Sequence, residues 1–155
     1  MDIASLKDIL NNFDPTAFLP DLSTLPGKVE LAARIAVLIG PLVLLGLGLL
    51  YFLAPPKEAN YTFGFRTHRG MASVEAWQFT QKVAGIAWSV LGLGLAIVMA
   101  ILCSGFRNLE VMDMVTKAAI YILWEIGLLI LCGIVIRILV VVFFDGKGSR
   151  REKKV

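Results

Sequence analysis

Residues 29–53, 83–103 and 118–144 form three apolar stretches, each as long as the roughly 20 residues of helix that cross a hydrocarbon core about 30 Å thick. A chain built this way cannot bury all three in a water-soluble core of its own. The 57% hydrophobic fraction and mean hydropathy of +0.77 agree, so the expected fold class is an all-α integral membrane protein with three transmembrane helices. Helices suit the position because each satisfies its own backbone hydrogen bonds where water is absent.

The polar remainder divides the chain. Residues 1–28 form an N-terminal segment, residues 29–144 the three-helix membrane domain with a loop over 54–82, and residues 145–155 a basic tail. In the first segment Ile3, Leu6, Ile9, Leu10 and Phe13 recur at helical spacing, which predicts a short amphipathic helix at the membrane interface. It should end near Asp14-Pro15, with Pro20 and Pro26 marking a linker into the first span. This start carries Asp2, Asp8, Asp14 and Asp21 and lacks a basic region before a short apolar core, so it is not expected to be a cleaved signal.

Basic residues set the orientation. Lys57, Arg66, Arg69 and Lys82 lie between the first two spans, and Lys147, Arg150, Arg151, Lys153 and Lys154 follow the third. These two regions must share a side. The other side holds Lys7, Lys28, Arg107 and the border residue Lys117, so the positive-inside rule places the N-terminus outside and the C-terminus in the cytoplasm. The net charge of +3 therefore reports on headgroups and orientation, and no direct nucleic-acid binding is expected.

Within the spans, Gly40-Pro41 should bend the first helix, and Glu30 and Arg34 stand one turn apart at its start, within pairing distance. Small residues at Ala36, Gly40 and Gly48, and at Gly92, Ala96 and Ala100, predict the contact seams of the first two helices. Three spans bury little against one another, which makes a homo-oligomer an expectation. Cys103 and Cys132 lie inside apolar runs without ligand or redox spacing and read as small buried hydrophobes. Glu125 and Arg137 are intramembrane ionisable groups that need compensation. Twelve residues separate them, about 18 Å along a helix, so they cannot pair with each other. Arg137 is expected to snorkel to the cytoplasmic headgroups. Glu125, about two turns below the outer end beside Trp124, is open to three readings: protonated, bonded to a neighbouring helix, or lining a polar pocket.

The loop carries the most information. After Pro55-Pro56, Tyr61, Phe63 and Phe65 alternate with Thr62, Gly64 and Arg66, a period suited to an extended interfacial strip. Ser73 should then cap a helix with Glu75 in its first turn, and Trp77, Phe79 and Trp88 should anchor that helix at headgroup level. His68 is the sole histidine and has no second ligand at metal spacing. No paired carboxylates, nucleophile motif, metal motif or phosphate loop suggests an enzyme or a cofactor.

The string Asn60-Tyr61-Thr62-Phe63-Gly64-Phe65-Arg66-Thr67, followed by Trp77 and by Gln81 and Gly85 at the head of an apolar helix, resembles the signature of the SdpI family. There an Asn precedes a Gly-x-Arg-Thr segment and a Trp follows before a transmembrane helix. The resemblance covers roughly residues 50–104, with the third span agreeing in kind, and Gln81 stands where Asn or His is more usual. It implies a bacterial membrane protein similar to those that give immunity to a secreted membrane-active peptide toxin, some members also holding a cytoplasmic repressor at the membrane. On that reading Asn60, Gly64, Arg66, Thr67, Trp77 and Gln81 fix the loop or meet the partner. A small oligomeric transporter or channel, with Glu125 lining its path, is the alternative.

Overall fold

The computed structural model describes residues 25–59 and 62–151; the expected amphipathic helix over Ile3 to Phe13 lies outside them, as does Asn60. Three long helices make up the described fold: α1 (Leu25–Leu53), α2 (Val74–Ser104) and α3 (Val111–Phe143). All three are long and apolar enough to cross a membrane. At 1.5 Å per residue they run about 43, 46 and 50 Å, so each outlasts the hydrocarbon and carries its ends into the headgroup layer.

The helix ends follow from local chemistry. Pro26 belongs to the first described turn of α1, not to a linker, where its missing N–H has no partner to lose. Pro55-Pro56 stops the same helix just past Ala54, whose N–H still reaches Leu50 O at 2.8 Å. Ser73 adopts an extended backbone and its hydroxyl accepts the Ala76 N–H at 3.1 Å, capping α2 with Glu75 in the first turn, as the sequence predicts. A 3-10 turn over Gly105–Asn108 reverses the chain. Helix α3 starts at Val111, seven residues before the apolar run at 118, because nothing in 111–117 breaks a helix that has left the hydrocarbon.

Helices α1 and α2 form the tightest pair. The buried face of α1 runs Ala33, Val37, Pro41, Leu44, Gly48 and Tyr51, and that of α2 includes Gly85, Gly92 and Met99. A recurrence of seven residues keeps one face toward a partner in left-handed packing. A β-carbon on Gly85 would lie 2.6 Å from the Phe52 amide nitrogen, and one on Gly92 2.5 Å from the Leu45 amide nitrogen. The predicted seam is thus right at Gly48 and Gly92, but Ala100 is exposed, Ala96 is half-buried and Ala36 is exposed. A four-residue row rotates away from a seam that repeats every seven.

Two apolar clusters fill the bundle. One, with Val37, Met99, Cys103, Phe106 and Met114, lies toward the 3-10 turn; the other, with Tyr51, Ala84 and Ile136, lies under the loop. Cys103 is buried and Cys132 half-buried, both as free thiols. The Arg34 guanidinium donates to Glu30 through Nε at 3.0 Å and Nη2 at 2.6 Å. Helix α3 buries only Met114, Ala118, Glu125, Ile136 and Val140, leaving most of its apolar surface for lipid.

Gly92→Val should force α1 and α2 apart and cost about 1–3 kcal/mol, the usual range for overpacking. Gly94→Ala, where a β-carbon meets nothing within 4 Å, should cost nothing by that route. Thermal unfolding of both variants in detergent checks the contrast.

Candidate functional site

The loop between α1 and α2 is folded onto the head of α2 by side chains standing in for backbone partners. Gln81, fully buried, accepts the Phe65 N–H through Oε1 at 2.8 Å and donates from Nε2 to Phe65 O at 2.9 Å. One amide thereby satisfies both polar groups of a backbone unit that has no strand beside it. Trp77 is also fully buried, and its indole N–H donates to Pro56 O at 2.8 Å. Its ring lies over Gly64, where a β-carbon would sit 2.6 Å from the ring. Gly64 further has φ +119, a conformation that suits glycine alone.

These contacts correct two expectations. Residues 62–64 form bends and no strand, because Gly64 turns the chain where period-two alternation would extend it. Phe63 packs edge-on to Tyr51 at 5.0 Å and Phe65 edge-on to Trp88 at 5.5 Å. The aromatic side of the loop therefore packs against the helices. Trp77 is not a headgroup anchor but the core of the loop, and Phe79 packs on Phe143 and Phe144 with ring centres 5.4 and 5.2 Å away. Thr67 Oγ1 accepts the Gly70 N–H at 2.9 Å, closing the next turn.

Loop and tail meet on one side, as their charges require. Arg69 Nη1 donates to Val141 O and Phe144 O, each at 3.0 Å, so a loop arginine satisfies carbonyls at the end of α3. The hydroxyl of Ser73 donates to Gly148 O at 2.7 Å while accepting from Ala76, tying the tail to the cap of α2. The tail reverses through Asp145, whose Oδ1 accepts the N–H groups of Lys147 at 2.9 Å and Ser149 at 2.8 Å. Gly148, with φ +79, completes the turn. Arg69 and Ser73 are named by the sequence as a loop cation and a helix cap, but their ties to α3 and the tail, and the part played by Asp145, are not. Only the Asp-Gly-Lys-Gly composition of the turn gave a signal.

Arg66, Thr67, His68, Arg69, Arg137, Val140 and Val141 line a cavity of about 340 Å³ on this side. Arg66, His68 and Arg137 are exposed. Arg137 thus reaches the loop side, in the direction snorkelling predicts, and the fold brings it to the motif arginine. Gly64, Thr67, Trp77 and Gln81 hold the loop, whereas Arg66 projects from it.

Glu125 is elsewhere. With α3 beginning at Val111 it stands near the middle of the helix, fourteen residues from its start and seven from the start of the apolar run at 118. It is buried against α1, where a β-carbon on Gly40 would lie 3.0 Å from its Oε2. Its Oε1 has no hydrogen-bond partner among the described residues. An otherwise apolar cavity of about 250 Å³ opens beside it, lined by Ala36, Gly40, Pro41, Leu44 and Ile126 among others. Pro41 lacks the N–H that would otherwise reach the Val37 carbonyl, near this level.

Gln81→Leu leaves the Phe65 N–H and C=O unpaired and should cost about 1–3 kcal/mol, read as a lowered unfolding midpoint and faster amide exchange at Phe65. The Asp145 carboxyl is held below its ordinary range, first by the Ser149 amide and further by the amides of Lys147 and Gly148 and the Lys147 charge, against a desolvation cost. A depressed folded value means the turn is supported above the ordinary carboxylate pKa of about 3.9 and released as pH falls through the lower one. Amide shifts of Lys147 and Ser149 should move together in that acid window, and Asp145→Asn should abolish the transition.

The model of the SdpI/YfhL protein family matches residues 57–144, from the motif loop to the end of α3. No curated protein and no solved structure matches the chain. The third span, which the motif alone left outside, lies within the matched stretch, and so do Gln81, Trp77, Arg66 and Arg137. The match covers more than half of the 155 residues, and the chain belongs to the SdpI/YfhL protein family.

Proposed function

We propose that this protein gives immunity to, or senses, a secreted membrane-active peptide toxin, which it binds without bond-making chemistry. The observation that carries the reading is the loop itself. In a chain of this family, buried Trp77 and Gln81 are devoted to fixing a short segment that holds Arg66 exposed at the membrane surface. A rigid support under an exposed arginine is the economy of a recognition site, because ordering the contact residue is already complete before the partner arrives. A peptide inserted in the bilayer reaches such a site laterally, so the ligand need not cross the cytoplasm.

The proposed orientation follows from the charges: the loop and tail, which touch through Arg69 and Ser73, are placed in the cytoplasm with the C-terminus, and the N-terminus outside. The same face is then available to a cytoplasmic repressor if the protein signals. A bacterial cell membrane is the setting this reading requires, and the exposed surface of α3 would suit a homo-oligomer.

One observation favours the second reading, a small transporter or channel: the buried Glu125 oxygen that has no partner among the described residues, beside a cavity. Expression in a toxin-sensitive Gram-positive host, challenged with a panel of membrane-active peptides, separates the two. Selective survival that falls at least about tenfold in Arg66→Ala at matched membrane levels supports immunity at the loop. Survival against no peptide, with solute or ion flux in liposomes that Glu125→Gln abolishes, would replace it with transport.

A further inference from the structure

Three arginines and the only histidine of the chain converge on one cavity at the loop end of the bundle. Arg66 and His68 come from the loop, Arg69 from the following turn, and Arg137 from α3, about two turns before its end. Among the described residues no carboxylate lines that cavity. The nearest tail acid, Asp145, accepts from the Lys147 and Ser149 amides. Arg69 is partly compensated by the α3 carbonyls, while Arg66 and Arg137 form no ion pair with any described residue. Like charges brought together at reduced dielectric repel, so this arrangement is favourable when an anion occupies the space between them.

We infer that the cavity lined by Arg66, His68, Arg69 and Arg137 is a binding site for a phosphate group, either that of an anionic phospholipid headgroup or free phosphate. Guanidinium forks match phosphate oxygens in pairs. Thr67 also lines the cavity, its hydroxyl oxygen accepting the Gly70 N–H. The volume of about 340 Å³ is at the small end of ligand pockets and suits a headgroup better than a whole peptide. Val140 and Val141 give the cavity an apolar wall, which a lipid's glycerol and first acyl carbons could meet. The fold also explains Arg137: an arginine within an apolar span gains a ligand where snorkelling alone would gain only water.

The inference rests on the reading above in taking this face of the loop as the working one, yet phosphate binding is measured with no toxin present. The full chain, purified in a zwitterionic detergent, is titrated calorimetrically with short-chain phosphatidylglycerol, with short-chain phosphatidylcholine and with inorganic phosphate. Saturable binding of phosphatidylglycerol, about tenfold or more weaker in Arg66→Gln and in Arg137→Gln and unchanged in Lys57→Gln, is the expected result and identifies the headgroup. Inorganic phosphate binding as tightly, with the same loss in the variants, supports the site with free phosphate as its source. Both arginines are exposed, so the variants should fold, and their unfolding midpoints are checked against the unaltered protein. Binding of neither probe, or equal binding by the double variant Arg66→Gln with Arg137→Gln, overturns the proposal. A protein that protects cells but binds no phosphate would overturn this inference and leave immunity standing; one that binds phosphate but protects against no peptide would do the reverse.

Discussion

A loop at the edge of a bilayer has backbone groups that neither lipid nor a neighbouring strand will satisfy, and here the amide of Gln81 meets that need at Phe65. With Phe65 fixed, Gly64 must turn under the Trp77 ring, and Arg66 is left exposed at the cavity it shares with Arg137 of α3. Trp77 adds its bond to Pro56, which pins the exit of α1 to the same point. An Asn or His at this position would be shorter or stiffer than Gln. A Gln here reaches far enough to contact both backbone atoms.

From that anchor the remaining elements on this side are tied in sequence. Arg69 closes the end of α3, and the Ser73 hydroxyl links the cap of α2 to the tail turn. Helix α3, which buries few residues along its length, is thereby held at its loop end by polar contacts as well as by Ile136 and Val140. Its middle is looser, and there Glu125 faces Gly40 across an apolar cavity. The bundle is tied by polar contacts where the basic cavity lies, and is apolar around the acid.

Much of the frame was legible in the sequence because lipid permits few solutions. Length and apolarity gave three helices, Ser73 and Glu75 gave the start of α2, and the placement of basic residues put loop and tail together. The Glu30–Arg34 pair followed from helical spacing. What could not be read was whatever depended on rotation or on distant partners. The Arg69 acceptors lie 72 and 75 residues away, and nothing local announces them. Alternation from Tyr61 to Arg66 suggested an extended strip because the positive φ of Gly64 is a tertiary demand. Ala96 and Ala100 looked like seam residues because composition marks small side chains without saying which way the helix is turned. The resemblance found the motif residues but did not divide those that hold the loop from the one that projects.

The central claim is that the loop face around the basic cavity is where a membrane-inserted peptide is met. A photoreactive amino acid replacing His68, which lines that cavity and is exposed, is compared with one replacing Arg107 at the opposite end of the bundle in toxin-challenged cells. The account predicts a covalent adduct of peptide mass at position 68 and none at position 107. An adduct confined to position 107, in cells that the protein still protects, would contradict it.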